Sequence, residues 1–514
     1  MGVTKRDRGR SWLAGFISGL MMLMLALALA AESKAWAFEV LLGERPLTFS
    51  GYVNQSISYG LTGDDHYDVQ GGFQQAVFQG LLEARYEANP DLRFFASGKI
   101  NADWAYAYLS GDSDWEAKGF DQSKDNLAFF DRWDDLLSEA HVTWTPGNFN
   151  IRLGKQIVKW GETDAVRITD QINPVDGRRG ITDVEFETTI IPITLAKVSY
   201  FIEPDSSWLQ DVQLEGIFNP NVNFRYNEGF TTGNESMGIW APNVELPLGG
   251  PFPLDYAHLG KSDLLIEEPD TLDSDGFEYG FRLRSIVMDS VITLMYFYGR
   301  DNAPAATPLG SSSFISPWDG RLVIQPKTKW TFPLYRFVGA TFTRDLPSLT
   351  SSFLGGVAPT IRLEAMYGIN NTYASSVGTL EQKDDFRWGA AVDWKVDIPF
   401  LNPRAYFSIT GQFFGQHFRD YPRFFDLAAG EEDNYQATLY VGTSYLHNKL
   451  SPSVFYWYDI TNEAHFIQPR LSYQYDHHWS YALSAVFFMG NEQNKSFDVY
   501  ENKNMVTFTI SYNF

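Results

Sequence analysis

The sequence predicts an all-β protein, a transmembrane antiparallel up-and-down β-barrel of about 16–18 strands with its third extracellular loop folded inward. Three observations carry that reading. An export leader opens the chain, apolar and polar residues then alternate with period two, and the connections alternate between short and long.

The leader has its parts in the expected order. Lys5, Arg6, Arg8 and Arg10 precede an apolar run from Trp12 to Ala31, and Ala35-Trp36-Ala37 supplies the small residues of a peptidase site. Residues 1–37 are read as a cleaved signal peptide and 38–514 as the barrel. No second long apolar run follows, so the sequence offers no further helical span.

Composition narrows the function. At 44% apolar and 16% aromatic content the 514-residue chain is too rich in core formers for a disordered protein. The absence of cysteine removes disulfide scaffolds, thiolate metal sites and cysteine nucleophiles. A formal charge of −23 argues against a nucleic-acid partner, which requires a basic footprint.

Alternation is clearest at the C-terminus, where Val506, Phe508, Ile510, Tyr512 and Phe514 interleave with Thr507, Thr509, Ser511 and Asn513. This is a strand with one apolar and one polar face. Its end on Phe514 resembles the assembly signal of bacterial outer-membrane barrels, which implies the barrel assembly machinery as a partner.

Candidate strands fall at 47–60, 75–88, 91–108, 137–145, 148–158, 187–203, 209–219, 276–286 and 290–299. Others follow at 335–345, 359–369, 386–397, 403–415, 435–446, 450–459, 464–475, 479–488 and 504–514. Links at 89–90, 146–147, 204–207, 288–289, 398–402, 447–449 and 476–478 are short, and those through Asp65, Asp121, Gly161, Gly238, Ser312, Ser376 and Glu431 are long. Short periplasmic turns and long outer loops produce this parity. A long even link at 346–358 and a short odd one at 460–463 break it, leaving the count at sixteen or eighteen.

The same parity separates the faces. In 276–286, Phe277, Tyr279, Phe281 and Leu283 share one face, and Glu278, Arg282 and Arg284 share the other. The charged face must be the lumen, because an Arg at the bilayer midplane costs roughly 2–4 kcal/mol. The test also places Glu83, Arg85, Glu87, Arg93, Lys99, Asp103, Arg152, Gln156, Arg362, Glu364, Gln468, Arg470 and Gln474 inside, predicting a polar lumen. Aromatic groups at Trp104, Tyr106 and Tyr108, and at 455–458, are read as interfacial girdles.

One segment stands apart. It begins Arg152-Leu153-Gly154-Lys155-Gln156-Ile157-Val158-Lys159-Trp160-Gly161-Glu162, passes Asp164, Arg167, Asp170, Asn173-Pro174 and Asp176, and ends at Arg178-Arg179-Gly180. A strand ending G-[KR]-Q-x-V-x-W-G-E before an I-N-P-x-D segment resembles the domain of unknown function 1302 family of Gram-negative outer-membrane barrels. The resemblance implies a porin-like barrel in the outer membrane, in contact with its lipid and lipopolysaccharide. It implies no particular solute, and it suggests periplasmic lipid-handling or exporter partners.

Between Lys159 and Arg179 the loop mixes four acidic with four basic side chains. Folded inward, facing carboxylates and guanidinium groups would set a constriction that sorts solutes by charge. The other reading is a latch that ties Glu162, Arg167, Arg178 and Arg179 to the wall, with Asn173-Pro174 turning the chain. Both readings put the sensitive residues in the same loop.

Motifs for chemistry are missing. Gly260-Lys261-Ser262 lacks the first glycine of a phosphate loop, and Asp273-Ser274-Asp275-Gly276 lacks the terminal Glu of a calcium loop and reads as a turn. His141 faces the lumen beside Glu139, and His477-His478 sits in a turn. No catalytic residue, metal site or cofactor is assigned. The acidic segment 111–139 carries Leu127, Phe130, Trp133 and Leu137 at helical spacing, and its carboxylates would be solvated or screened by divalent cations. The expected function is passage of a small or lipophilic solute, without covalent chemistry, through a polar lumen narrowed at 159–179. The alternatives are export or uptake of a hydrophobic molecule, or a non-conducting surface-binding barrel.

Overall fold

The computed structural model describes residues 38–61, 71–108, 136–178, 180, 189–228, 240, 245–247, 256–259, 263–315, 320, 322–350, 355–423, 425–427, 429–491, 495–501 and 503–514. The leader, the helix expected near Leu127, the 260–262 tripeptide and Arg179 lie outside these residues.

In chain order the first strands are β1 (Phe38–Leu42), β2 (Arg45–Gly60), β3 (Gly72–Asn89), β4 (Leu92–Asp103), β5 (Leu137–Trp144), β6 (Phe149–Gln156), β7 (Ile193–Ile202) and β8 (Leu209–Asn219). Then come β9 (Glu245–Pro247), β10 (Tyr256–Leu259), β11 (Asp263–Glu267), β12 (Glu278–Val287), β13 (Ser290–Arg300), β14 (Ala305–Ile315), β15 (Leu322–Thr331) and β16 (Leu334–Asp345). The last are β17 (Thr360–Ala374), β18 (Leu380–Val396), β19 (Phe407–Phe418), β20 (Asp433–Gly442), β21 (Leu450–Asp459), β22 (Ala464–Gln474), β23 (Trp479–Met489) and β24 (Met505–Asn513).

Eighteen of these, β2–β8, β12, β13 and β16–β24, form a closed antiparallel barrel. β8 pairs with β12 and β13 with β16, so the fourth and fifth long loops leave and rejoin the wall between neighbours. β2 closes on β24 from Tyr52↔Asn513 to Gly60↔Met505. Across that seam the Ser56 and Thr509 hydroxyls meet at 2.8 Å, as do those of Ser58 and Thr507. β1 folds back on the first residues of β2, its Phe38 ring stacked on Phe49. A small separate sheet joins β9, β10, β11, β14 and β15 from the fourth and fifth loops.

Alternation explains the wall. Phe281, Leu283, Leu294, Leu363, Val392, Leu483 and Phe508 are exposed on the outer face, Phe281 by 60%. Serine, threonine and glutamine side chains of the same strands are buried on the inner face, as at Ser199, Thr293, Thr341, Gln412 and Ser484. An exposed apolar belt on a closed wall is the arrangement that faces hydrocarbon.

All eighteen expected barrel strands are present, with 209–219 and 450–459 matched to the residue. The long even link and the short odd link are both real, and the count is eighteen. Many boundaries shift by a few residues, two of them for a visible reason. The third expected strand stops at Asp103, whose carboxylate accepts the Ala76 and Ala105 amides and turns the chain into a short helix, α1 (Ala105–Tyr108). The link through Ser376 is short rather than long, because β17 and β18 extend to Ala374 and Leu380 across a bulge between Gly368 and Asn371. The 273–276 turn is a 3-10 helix, Ser274–Gly276, capped by the Asp273 side chain.

The inner surface corrects the expected uniform polarity. Ile193, Leu195, Ile217, Met295, Phe297, Tyr335, Phe337, Met366 and Phe414 form one buried apolar cluster with loop residues Val158, Trp160, Ile168 and Ile172. A second cluster gathers Tyr106, Phe466, Phe488 and Met505 around Trp240, with Phe455 and Trp457 against it. Tyr106, Phe455 and Trp457 are therefore packed inside and are not girdle residues. β13 explains the first cluster, since its sequence SVITLMYFYGR is apolar on both faces. Its inner face is covered by protein, as continuous apolar strands generally are.

Candidate functional site: the inward third loop

The described part of the third loop, 157–178 and 189–192, leaves β6, reaches across to β17 and β19, and rejoins β7. Asn173 closes its neck: Oδ1 accepts the Val158 amide at 2.8 Å, and Nδ2 donates to the Gln156 and Ile191 carbonyls at 3.2 and 3.0 Å. Pro174 follows where the chain turns back, and Val175 bridges to Ile190. Asp170 accepts the Trp160 amide at 3.2 Å and pairs with Arg167 at 3.5 Å, and Arg167 donates to the Asn173 carbonyl at 2.8 Å. The loop thus carries its own internal frame.

The far wall receives it. Glu364 on β17 is buried, and its two carboxylate oxygens accept the amides of Glu162, Thr163 and Thr169 at 2.9, 3.0 and 2.6 Å. The Thr163 and Thr169 hydroxyls donate to the same oxygens. One charge thereby satisfies five donors, the arrangement in which a buried carboxylate is stable. Beside it Arg362 donates to the Glu162 carbonyl and pairs with Asp164 at 2.6 Å and Asp393 at 2.7 Å. The Asp164 amide donates to Gln412 on β19 at 3.2 Å.

Trp160 fills the other contact. Its indole Nε1 donates to Glu215 on β8 at 2.8 Å, and the Arg282 guanidinium lies 5.8 Å from its ring centroid. A Cβ at position 280 would stand 2.5 Å from the Trp160 ring, and one at 389 would stand 2.7 Å from Ile168 Cδ1. Glycine at both wall positions makes room for the loop.

Charges on the loop divide by burial. Lys159 and Asp164 are exposed, and Glu162 is half-buried with its carboxyl pushed up by desolvation and by the neighbouring Glu364. Asp170 is likewise raised by burial. Arg178 is only 3% exposed, paired with Asp176 at 2.8 Å and with Glu228 of the fourth loop at 2.9 Å. It faces protein, so the transverse field expected from Arg178 is absent and its role is to join two loops.

The expected lumen residues are dispersed around the wall. Glu83 pairs with Arg85 at 2.6 Å, and Glu87 with Arg93 at 3.9 Å. Lys99 donates to the Ile190 carbonyl at 3.3 Å, and Gln156 donates to the Leu195 carbonyl at 3.0 Å. Arg282 donates to the Lys159 carbonyl at 3.3 Å and pairs with Glu215 at 3.2 Å. Arg470 donates to Ser472. Arg152 and Arg284 are half-buried on the inner face. Glu278 is buried at the top of β12 against Asn219 and the Arg300 amide, so it braces loops and lines no lumen. His141 stacks on Phe95.

Sequence reasoning missed Glu215, Gln412, Asp393, Glu228 and Trp240 as partners of the loops. Wall glycines facing the lumen were the available signal for where a loop seats. No group of three or more His, Cys, Asp or Glu suited to a metal ion occurs among the described residues.

The family model described as "Protein of unknown function (DUF1302)" matches residues 18–400. No curated protein matches the chain. Among solved structures, Pseudomonas aeruginosa OccK8 (OprE) is 9% identical with a TM-score of 0.46, over 91% of this chain and 98% of that one. Acinetobacter baumannii OccAB2 gives 9% and 0.46, over 91% and 98%. The outer membrane channel DcaP of Acinetobacter baumannii gives 11% and 0.39, over 93% and 99%. These are likenesses of barrel architecture at very low identity.

Proposed function

The chain belongs to the DUF1302 family, and from that premise we propose that it is an outer-membrane, porin-like channel whose lumen is narrowed by the 157–192 loop. The observation that carries the reading is the seat of that loop: five donors on Glu364, with Trp160 against Gly280 and Glu215. A loop held this way anchors the backbone of Lys159, Glu162 and Asp164 to the wall and leaves the Lys159 and Asp164 side chains exposed beside half-buried Glu162, where a passing solute would meet them. The two apolar patches of the inner wall are occupied by loop side chains, which favours a small water-soluble solute over a lipophilic cargo. Transport of this kind requires no covalent step. The exposed outer belt would contact lipid and lipopolysaccharide, and Phe514 would be read during barrel assembly.

Refolded protein in a planar bilayer tests the proposal. Stepwise ohmic openings support it, and a conductance that rises when Glu364 is replaced by Ala identifies the loop as the constriction. Silence from barrels whose folding is proved by their heat-dependent gel mobility overturns it.

A further inference from the structure

Just periplasmic to the loop, the described inner wall sets two basic side chains opposite each other. β6 enters the loop at Gln156 and β7 leaves it at Ile193, so Arg152 and Lys197 each lie four residues from the loop neck, toward the periplasmic turns. They are direct cross-strand partners, on the face that carries Leu195 and Glu215. Like charges placed opposite each other on one face of a sheet are destabilising.

Two carboxylates, Glu215 and Glu139, stand near this pair, and neither forms an ion pair with Arg152. Glu215 takes Lys197 at 3.7 Å and Arg282 at 3.2 Å, and it also accepts from Trp160, Ser199 and Gln213. Arg152 has no ion pair or side-chain hydrogen bond with any described residue, and its buried Nε lacks an acceptor. Glu139, on the neighbouring strand, has its Oε2 engaged by the Ile157 amide at 3.0 Å. Arg284, two residues beyond Arg282 on the same face, is half-buried in the field of the Glu162 carboxylate. Arg152 is thus a half-buried cation whose Nε has no acceptor, set directly opposite a second cation.

We propose that Arg152 and Lys197 form a subsite for the carboxylate of a small organic anion, so that the channel selects anionic solutes. The inference rests on the channel reading above and names its substrate class. The guanidinium offers a planar pair of donors that matches a carboxylate, and the ammonium adds a point charge. A solute anion would supply the acceptor that Arg152 lacks and relieve its repulsion from Lys197.

The test uses benzoate and its neutral isostere benzamide on the refolded full-length barrel. Reversal potential in a potassium chloride gradient and calorimetric binding in detergent are both measured, for the wild type, Arg152→Gln and Lys197→Gln. The expected wild type prefers chloride and binds benzoate but not benzamide. Arg152→Gln, which removes no hydrogen bond of the fold, should weaken benzoate at least fivefold and move the reversal potential toward zero, with Lys197→Gln acting in the same direction. A conducting barrel whose benzoate binding and ion selectivity ignore both substitutions overturns the subsite and leaves the channel standing. A silent barrel that binds benzoate and loses it in Arg152→Gln overturns the channel and leaves the subsite. Benzamide binding as tight as benzoate also overturns it.

Discussion

The wall under the third loop and the wall at the closing seam are built from the same alternating strands, yet their inner faces differ in kind. Under the loop, Met295, Phe297, Phe337, Met366 and Phe414 pack as a protein core around Trp160 and Ile168. At the seam, Ser56, Ser58, Thr507 and Thr509 present paired hydroxyls. Alternation decides only which side chains point inward. All four seam residues are buried as well, so what a loop from elsewhere in the sequence decides is whether the covered inner face is an apolar core or a set of paired hydroxyls.

The largest way to break this difference is Glu364→Ala. It strips the acceptor from three loop amides and two hydroxyls, at a cost of about 3–5 kcal/mol for leaving polar groups unmatched. Because the chain has no cysteine, a single Ile172→Cys reports on the seat, since Ile172 is buried only while the loop is docked. Maleimide labelling of that cysteine should accelerate by orders of magnitude in the Glu364→Ala background. An unchanged labelling rate would mean that Glu364 does not hold the loop.

Trp160→Ala should follow closely, at about 3 kcal/mol for an emptied aromatic site. Trp160→Phe keeps the ring and loses only the bond to Glu215, so it should cost about 1 kcal/mol. Equal labelling rates in the two variants would show that the indole N–H, and not the packing against Gly280, seats the loop.

A smaller change is expected with pH. Burial raises the carboxyls of Glu162 and Asp170 above their usual range, so the docked loop binds protons more readily than the released one. Their contribution is fully present below the released-state values and is lost as pH rises through the docked ones. Labelling of Ile172→Cys should therefore slow on acidification through the carboxylate range. Faster labelling in acid would place the controlling carboxyls elsewhere.

The smallest effect belongs to the seam. Ser58→Ala leaves Thr507 without its hydroxyl partner and should cost about 0.5–1 kcal/mol of barrel stability. Conductance should stay at the wild-type value, since both hydroxyls are buried and bond only to each other across the seam. A changed conductance would assign the seam to the solute path.

The barrel was legible because parity and loop length are local signals repeated eighteen times, and Phe281 beside Arg282 separates the faces without further information. The loop was legible as special from its charges and from Lys159-Trp160-Gly161. Its partners were not, because Glu364 and Gln412 lie some two hundred residues away and read in sequence as ordinary lumen polarity. Met295 and Phe297 were ambiguous for another reason: β13 is apolar on both faces, and period two cannot tell a covered inner face from a second lipid face. Tyr106 and Trp457 stand near strand ends, where a girdle and a loop-packing cluster demand the same rings.

The separation of 202 residues between Glu162 and Glu364 also has a kinetic consequence. The loop follows β6, but its acceptors are translated with β17 and β19, so docking must wait until two-thirds of the wall exists. Contacts this distant in sequence form late. Until then Trp160 can rest against β8 and β12, but Thr163 and Thr169 lack their acceptor on β17. Full docking of the third loop is therefore a late event in closing the wall.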